Sequence, residues 1–302
     1  MTATDQTACR ASSLAFLALL GAGVAVGFSP IFVRLSDLSP LASAFYRMAF
    51  AVPAISLFAW ASGDRIRSLS ALSPGDRTRL ALAGLAFAAD IAFWHLAIIH
   101  TTVLEATLLT STVPIIVTAV SVFLFGERIR VMFILGLGLA LIGVTALAVQ
   151  RTGAVATPPD RLLGGIYALL AASFFAVYLL IVANVRRHSS TATIMFYTSL
   201  VAALGLLPFA FAMSPTLLSG SFHGWLILLG LAVVSHAGGQ GLLTFALAHL
   251  STSFSSMTNL MQTAVAAIAA WILFAEPLTP MMLASGAAIL AGIWICRRAA
   301  MA

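Results

Sequence analysis

Asp90 interrupts a long apolar run, with Phe87 three positions before it and Trp94 four positions after. On a helix of 3.6 residues per turn, residues three or four apart share a face. An acid between two aromatic rings suits an ammonium group carried on an apolar body. The same acid could also carry a proton, or act as a hydrogen-bonding post between helices. In any of these roles it needs compensation, because a carboxylate at the centre of a bilayer costs about 2.5–3.5 kcal/mol. A second polar stripe, His236, Gln240 and Thr244, recurs at i, i+4 and i+8, so one helical face again carries all three. Asn259 and Gln262 repeat the pattern at i, i+3. Such faces line a cavity or a helix seam, since lipid offers their hydrogen-bonding groups no partner. Arg47 and Glu105 complete the set of intramembrane charges; each is expensive alone and tolerable when paired. They are expected to form an ion pair, either fixed or breaking and reforming as a gate.

Other residues read as scaffold. Glu127 and Glu276 fall at the ends of apolar runs and are expected to cap or anchor helices. Gly23 and Gly27 form a small-xxx-small packing face. Ser29 and His236 could imitate the pair of an intramembrane serine protease, but Ser29 precedes a proline near a run's end. The apolar runs are also too numerous for that comparison, and no helix carries a His-Glu zinc motif. Cys9 and Cys296 stand near opposite chain ends, outside any ligand spacing or disulfide framework. No enzyme, metal or cofactor is expected.

The elements that must hold these residues follow from composition. Of 302 residues, 61% are hydrophobic and only 8% charged, against about 25% charged in soluble domains. So few charges cannot cover a water-soluble surface. The net charge of +6 comes from 15 basic residues, all arginine, placed between apolar runs rather than clustered with aromatics. This excludes a nucleic-acid partner and points to the bilayer. Spans of about 20 residues are predicted from Ser13 to Val33, Pro40 to Ala61, Leu80 to Ile99, Thr102 to Phe125 and Val131 to Val149. After a turn-rich linker from Thr152 to Asp160 come Leu162 to Ala183, Thr191 to Ala212, Trp225 to Ala248, Phe254 to Phe274 and Met281 to Cys296. The first run, uncharged from Ala11 to Val33, is longer than a signal-peptide core and reads as a retained span. With the N-terminus inside, the inner segments hold eleven arginines (10, 65, 67, 77, 79, 128, 130, 186, 187, 297 and 298). The outer ones hold three, Arg34, Arg151 and Arg161. That bias predicts cytoplasmic termini.

A shift of 149 residues superposes Ala97 and His100 on Ala246 and His249, Leu124, Phe125 and Glu127 on Leu273, Phe274 and Glu276, and Gly143 on Gly292. A shift of 151 pairs Phe45-Tyr46 with Phe196-Tyr197. The rare His and Glu matches fall at equivalent helix ends. The chain therefore divides into residues 1–150 and 151–302, five spans each. An odd number per half makes the halves inverted, an architecture that places solute sites between them near the midplane. Because Asp90 aligns with Gly239, the third and eighth spans are expected to face each other, making their polar faces opposite walls of one cavity.

The run Glu105-Ala106 to Pro114-Ile115, then Phe125-Gly126-Glu127-Arg128, Gly136 and Gly143-Val144, resembles the repeat unit of EamA proteins in the drug/metabolite transporter superfamily. Pro40-Leu41 through Tyr46-Arg47 is similar to the early part of that unit. The second copy keeps Glu276 and Gly292 but has Thr198 where Arg47 stands. The resemblance implies ten helices in two inverted five-helix repeats around a central cavity, and export of small metabolites; the overall pattern also looks like the YddG branch, which exports aromatic amino acids. Alternatives are export of cationic drugs or nucleoside-type metabolites and, in another class, a non-transporting scaffold or lipid-handling protein.

The arginine bias generates a direct test. In a Cys9→Ser, Cys296→Ser background, Ala154→Cys should react with an impermeant maleimide in intact cells. Reaction only after the membrane is broken would reverse the orientation.

Overall fold

The structure, a computed structural model, describes residues 3–101, 103–150, 160–274 and 279–301, with the side chains of 3–12, 98, 99, 103–105, 150, 161, 270 and 301 outside the description. Among the described residues the chain is helical with no strand. Ten helical segments among the described residues are long and apolar enough to cross a membrane: span 1 (Ser13–Leu35), span 2 (Pro40–Ser62), span 3 (Pro74–Ala97), span 4 (Ala106–Phe125), span 5 (Val131–Val149), span 6 (Leu162–Val185), span 7 (Thr191–Met213), span 8 (Phe222–Ala246), span 9 (Thr252–Phe274) and span 10 (Pro280–Ala300). Leucine, isoleucine and phenylalanine side chains such as Leu57, Phe58, Phe123, Leu162 and Ile272 lie bare on the outside of the bundle, as a lipid-facing surface requires.

Span 3 begins six residues before the predicted Leu80, and the reason is local. Ser73 accepts a hydrogen bond from the Asp76 N–H, Pro74 occupies the first turn, and Asp76 sits there too. A serine cap, an early proline and an acid at the positive end of the dipole start a helix even where the side chains are polar. Arg77 and Arg79 thus ride the first turns of the helix, Arg77 donating to the carbonyls of Leu72 and Ser70. Span 8 likewise starts before the predicted Trp225, at Phe222, because Ser221 caps it through the Gly224 N–H.

Several spans are not continuous. Span 1 breaks at Phe28 ahead of Ser29-Pro30, and span 4 breaks between Thr110 and Val113 ahead of Pro114. Span 9 breaks after Ser255. Span 8 stays helical but widens to a π-helix over Leu231–Gln240, which carries His236, Gly238, Gly239 and Gln240. Non-α backbone at membrane depth is tolerated only inside protein or beside a polar cavity, and π segments concentrate at functional sites.

The principal helix contacts join spans 5 and 10, 3 and 6, 2 and 7, 3 and 7, 1 and 9, 1 and 8, 2 and 8, and 4 and 6. Exchanging each span with the one five places on returns the same set. Contacts between loops also sort by alternation. Asp37 meets Ser219 and Ser221, Ser39 meets Ser214, and Arg34 lies over Phe274 on one face. Asp76 meets His188, Glu127 accepts from Ser253 Oγ, and Arg297 lies over Phe16 on the other. Glu127 therefore ties the loop after span 4 to the start of span 9; Glu276 lies outside the described residues. Gly23 and Gly27 pack on span 9, where added Cβ atoms would meet Met261 and Val265 at 2.7 and 2.6 Å.

The seam between spans 5 and 10 is built on glycine. A Cβ on Gly136 would stand 2.7 Å from the Gly292 carbonyl, and one on Gly143 would stand 2.7 Å from the Ser285 carbonyl. The 149-residue shift carries 136 to 285 and 143 to 292, so each of these contacts is the image of the other. Gly138, about 200° round the helix from Gly136, has nothing within 4 Å. Gly136→Ala and Gly292→Ala should therefore each lower the melting temperature in detergent, by the equivalent of about 1–3 kcal/mol of overpacking. Gly138→Ala should be neutral or stabilising, as Gly→Ala on an open helix face is. Equal tolerance at all three positions would contradict the seam.

Candidate functional site

Span 2 starts at Pro40 under a Ser39 cap, which sets Arg47 seven residues in, about 10 Å along the axis at 1.5 Å per residue. Its Nη1 donates to Ser29 Oγ at 3.1 Å, at the break in span 1. Its Nε is buried with no hydrogen-bond partner among the described residues. The guanidinium acts electrostatically on four groups, Asp90, His95, Tyr178 and His236. Among the described residues no hydrogen bond or ion pair joins Arg47 to Asp90. The expected Arg47 partner was Glu105, whose side chain lies outside the described residues.

Asp90 and Trp94 each keep some accessible surface although they do not share the lipid face of span 3, which carries Leu82 and Leu85. At 3.6 residues per turn Trp94 stands about 180° round from Leu85. Trp94 meets the ring of His95 edge-on, 5.1 Å between centroids. His95 Nδ1–H donates to the Ile91 carbonyl at 2.7 Å, and its Nε2 is buried without a partner among the described residues.

Below Asp90 the interior is closed by rings from three spans. Phe87 stacks at an angle on Tyr178 (centroids 4.7 Å apart), Phe175 (6.2 Å) and His236 (5.5 Å). Phe175 and Tyr178 are themselves 5.8 Å apart. This is where spans 3 and 8 meet, so Phe87 and His236 are brought together. His236 shares a hydrogen bond with Ser199 Oγ at 2.8 Å, leaving Nδ1 buried and unpartnered among the described residues. Thr244 donates to Met195 Sδ and neighbours the Tyr178 hydroxyl. The expected single stripe therefore divides: His236 and Thr244 face span 7, whereas Gln240 turns elsewhere. The π-helical backbone under His236 and Gln240 offsets the α-helical repeat on which the stripe was drawn.

Gln240 lines a small cavity with Asn259, Gln262, Ser255, Ser256 and Thr258, closed by Val26, Phe175, Leu179 and Leu243. Its volume of ≈ 10 Å³ holds about one water molecule. Asn259 Nδ2 donates to the Thr110 carbonyl at 3.1 Å, at the break in span 4, and its Oδ1 accepts from Gln262 Nε2 at 2.6 Å. Gln240 Oε1, Ser255 Oγ and Thr258 Oγ1 are buried without partners among the described residues. Asp90, Trp94 and His236 do not line this cavity; Phe87 reaches it through Phe175.

Polar side chains thus form two sets on either side of an aromatic layer. The first gathers Arg47, Asp90, Trp94 and His95; the second gathers Gln240, Asn259 and Gln262. Loop contacts close both ends. At one face the Asp37 carboxylate accepts from Ser219 Oγ at 2.8 Å and from Ser221, which hold it below the usual carboxylate range. At the other face Asp76 and His188 Nε2 meet at 2.8 Å. Sequence reading missed His95 and Tyr178, each alone on an otherwise apolar face, and the serines of the span 9 break. The signal available for the serines was the Ser251–Ser256 run itself.

A ten-span bundle with buried polar sets on both sides of a ring layer has the architecture of a membrane transporter. The chain belongs to the EamA-like transporter family, which matches it twice, over residues 13–149 and 162–298. It is 29% identical to an uncharacterized transporter of Archaeoglobus fulgidus over 93% of this chain and 95% of that one. It is 32% identical to the uncharacterized transporter YetK of Bacillus subtilis over 111 residues, 37% of this chain and 34% of that one. A protein of known crystal structure shares the fold with a TM-score of 0.81 at 16% identity, covering 97% of this chain and 98% of the other. The protein is a multi-pass membrane transporter of small solutes.

Proposed function

We propose that this transporter moves amphipathic metabolites, amino acids foremost and aromatic ones among them, outward across a bacterial-type inner membrane by alternating access. The observation that carries this reading is the pair of polar sets divided by Phe87, Phe175, Tyr178 and His236. Small-molecule sites combine apolar walls with few polar groups, and both sets have that character. Buried polar atoms without partners cost about 1–3 kcal/mol each, and a passing solute or its water would satisfy Arg47 Nε, His95 Nε2, His236 Nδ1 and Gln240 Oε1 in turn. In this reading Asp90, Trp94, Phe87, His236, Gln240, Thr244, Asn259 and Gln262 serve one route. Residues 1–150 and 151–302 act as inverted halves with both termini cytoplasmic. Support for the halves comes from the exchange of helix contacts and for the orientation from the arginine bias.

The test is uptake into liposomes reconstituted with the purified protein, using labelled amino acids, nucleosides and cationic drugs. Amino acids should be carried. Trp94→Ala should slow the largest apolar ones about tenfold, the scale of removing one aromatic anchor, without loss of a monodisperse protein peak. Asp90→Asn should slow them steeply if the acid meets the solute. Transport of nucleosides or cationic drugs in place of amino acids would refute the substrate assignment.

A further inference from the structure

Three backbone irregularities converge on the small cavity between spans 8 and 9. They are the π segment of span 8, the break after Ser255 in span 9 and, through Asn259, the break in span 4. The polar lining divides by what each side chain is already bonded to. Ser256 Oγ donates to the Ser253 carbonyl at 2.6 Å, Asn259 Nδ2 to the Thr110 carbonyl and Gln262 Nε2 to Asn259 Oδ1. The other three are Gln240, Ser255 and Thr258, at 3%, 0% and 5% exposure. Each has a buried oxygen without a partner among the described residues, so these oxygens are not bonded to one another. Val26, Phe175, Leu179 and Leu243 close the space with hydrocarbon. Val26 packs closely on span 8, where a Cβ on Gly239 would stand 2.7 Å from its Cγ2.

We infer that this cavity is a binding site for one hydroxyl oxygen, supplied by a water molecule or by the alcohol or phenol group of a solute. The solute source rests on the transport reading above; the water source does not. Donor and acceptor count selects the ligand. An amide oxygen only accepts, whereas each side-chain hydroxyl has one hydrogen to give. A single atom that serves all three must donate to Gln240 Oε1 and accept from Ser255 and Thr258. A hydroxyl oxygen does both, with one hydrogen and two lone pairs. A sodium ion would engage the three oxygens and leave both hydroxyl hydrogens without an acceptor. An ammonium has the same defect, and chloride has no hydrogen to give Gln240 Oε1. Size agrees, since the volume of ≈ 10 Å³ is that of about one water, and three partners is the usual number for a buried one. The ligand joins span 8 to span 9 where both backbones leave the α-helical pattern.

The experiment is a thermal-melting cycle on the purified protein in detergent. Gln240→Leu keeps the bulk and removes the acceptor, and should lower the melting temperature by several degrees. Adding Ser255→Ala and Thr258→Val should restore at least about half of that loss, because removing every polar partner is milder than stranding some of them. Losses that simply add across the three substitutions would overturn the site, since residues that share neither a bond nor a ligand couple weakly. Should Gln240→Leu fail to fold, recovery of a monodisperse protein by the triple variant is the same result in stronger form. The wild type supplies an arm that needs no variant. Its melting temperature should be equal in sodium, potassium and choline salts, as chloride or gluconate, at one ionic strength. Stabilisation specific to sodium or to chloride would overturn the assignment. 5-Hydroxytryptophan and tryptophan then separate the two sources. A solute hydroxyl that releases the water should stabilise the wild type at concentrations roughly three- to tenfold lower than tryptophan needs, and lose that advantage in the triple variant. Equal potency, or no response to either, assigns the site to water. Absence of any solute flux in liposomes would strike the transport reading and leave the melting cycle to decide the site.

Discussion

Burying an arginine and an aspartate in a slab of hydrocarbon is the constraint around which the rest of the bundle is arranged. The energetic scale is several kilocalories per mole for each charge taken from water. Arg47 lowers that cost by donating to Ser29 Oγ, and Asp90 by lying off the lipid face of span 3 that carries Leu82 and Leu85. Span 1 must then offer Ser29 to Arg47, and it does so where Pro30 ends one helical segment and begins another. Backbone breaks in spans 1, 4 and 9 and the π segment of span 8 all adjoin polar side chains. Their freed carbonyl and hydroxyl groups, such as the Thr110 carbonyl that receives Asn259, are satisfied inside the protein rather than by lipid. The outer spans have the opposite task. Spans 5 and 10 carry none of the site and press glycine against backbone to form a firm seam, a mode of association available where lipid supplies no hydrophobic drive.

The aromatic layer gives this arrangement its consequence. Phe87, Phe175, Tyr178 and His236 come from spans 3, 6 and 8, and these helices also carry the polar groups on either side. On the proposed route, a solute crossing from the Arg47 set to the Gln240 set would displace rings carried by spans 3, 6 and 8. Spans 3 and 8 are further held at their starts from opposite faces, span 3 by His188 on Asp76 and span 8 by Asp37 on Ser219 and Ser221. A latch at each end of the route is what an alternating path needs, since only one should be released at a time.

Much of this was legible in residue order, because the bilayer reduces the problem to counting. All ten spans follow from apolar run length, and the alternation follows from charge. Apolar run length alone starts span 3 six residues late, because Arg77 and Arg79 are charged; the Ser73-Pro74 cap outweighs them, with Arg77 folding back to loop carbonyls and Arg79 reaching the Asp76 carboxylate. Phe87, Asp90 and Trp94 were found as a polar-aromatic cluster, and Gln240, Asn259 and Gln262 as polar faces, because such residues are rare in spans. That the second group shares a cavity apart from the first was not legible. Periodicity gives the face of a helix but not which neighbour that face meets, and the π-helical stretch shifts the faces of span 8 midway. His95 and Tyr178 escaped notice for a related reason: each is a single amphipathic ring on an apolar face, and only the three-dimensional position of Arg47 gives it electrostatic company.

The central claim is that the Arg47 set and the Gln240 set open to opposite sides of the membrane in turn. The direct measurement is cysteine accessibility at Ser29→Cys and Ser255→Cys, each in a Cys9→Ser, Cys296→Ser background. An impermeant maleimide is applied to one or the other face of sealed vesicles, with and without phenylalanine as solute. The account predicts that Ser29→Cys reacts only from the face bearing the Asp37 loop and Ser255→Cys only from the face bearing the Asp76 loop. It also predicts that solute shifts the two rates in opposite directions. Rates that rise and fall together, or one site reacting from both faces, would contradict it.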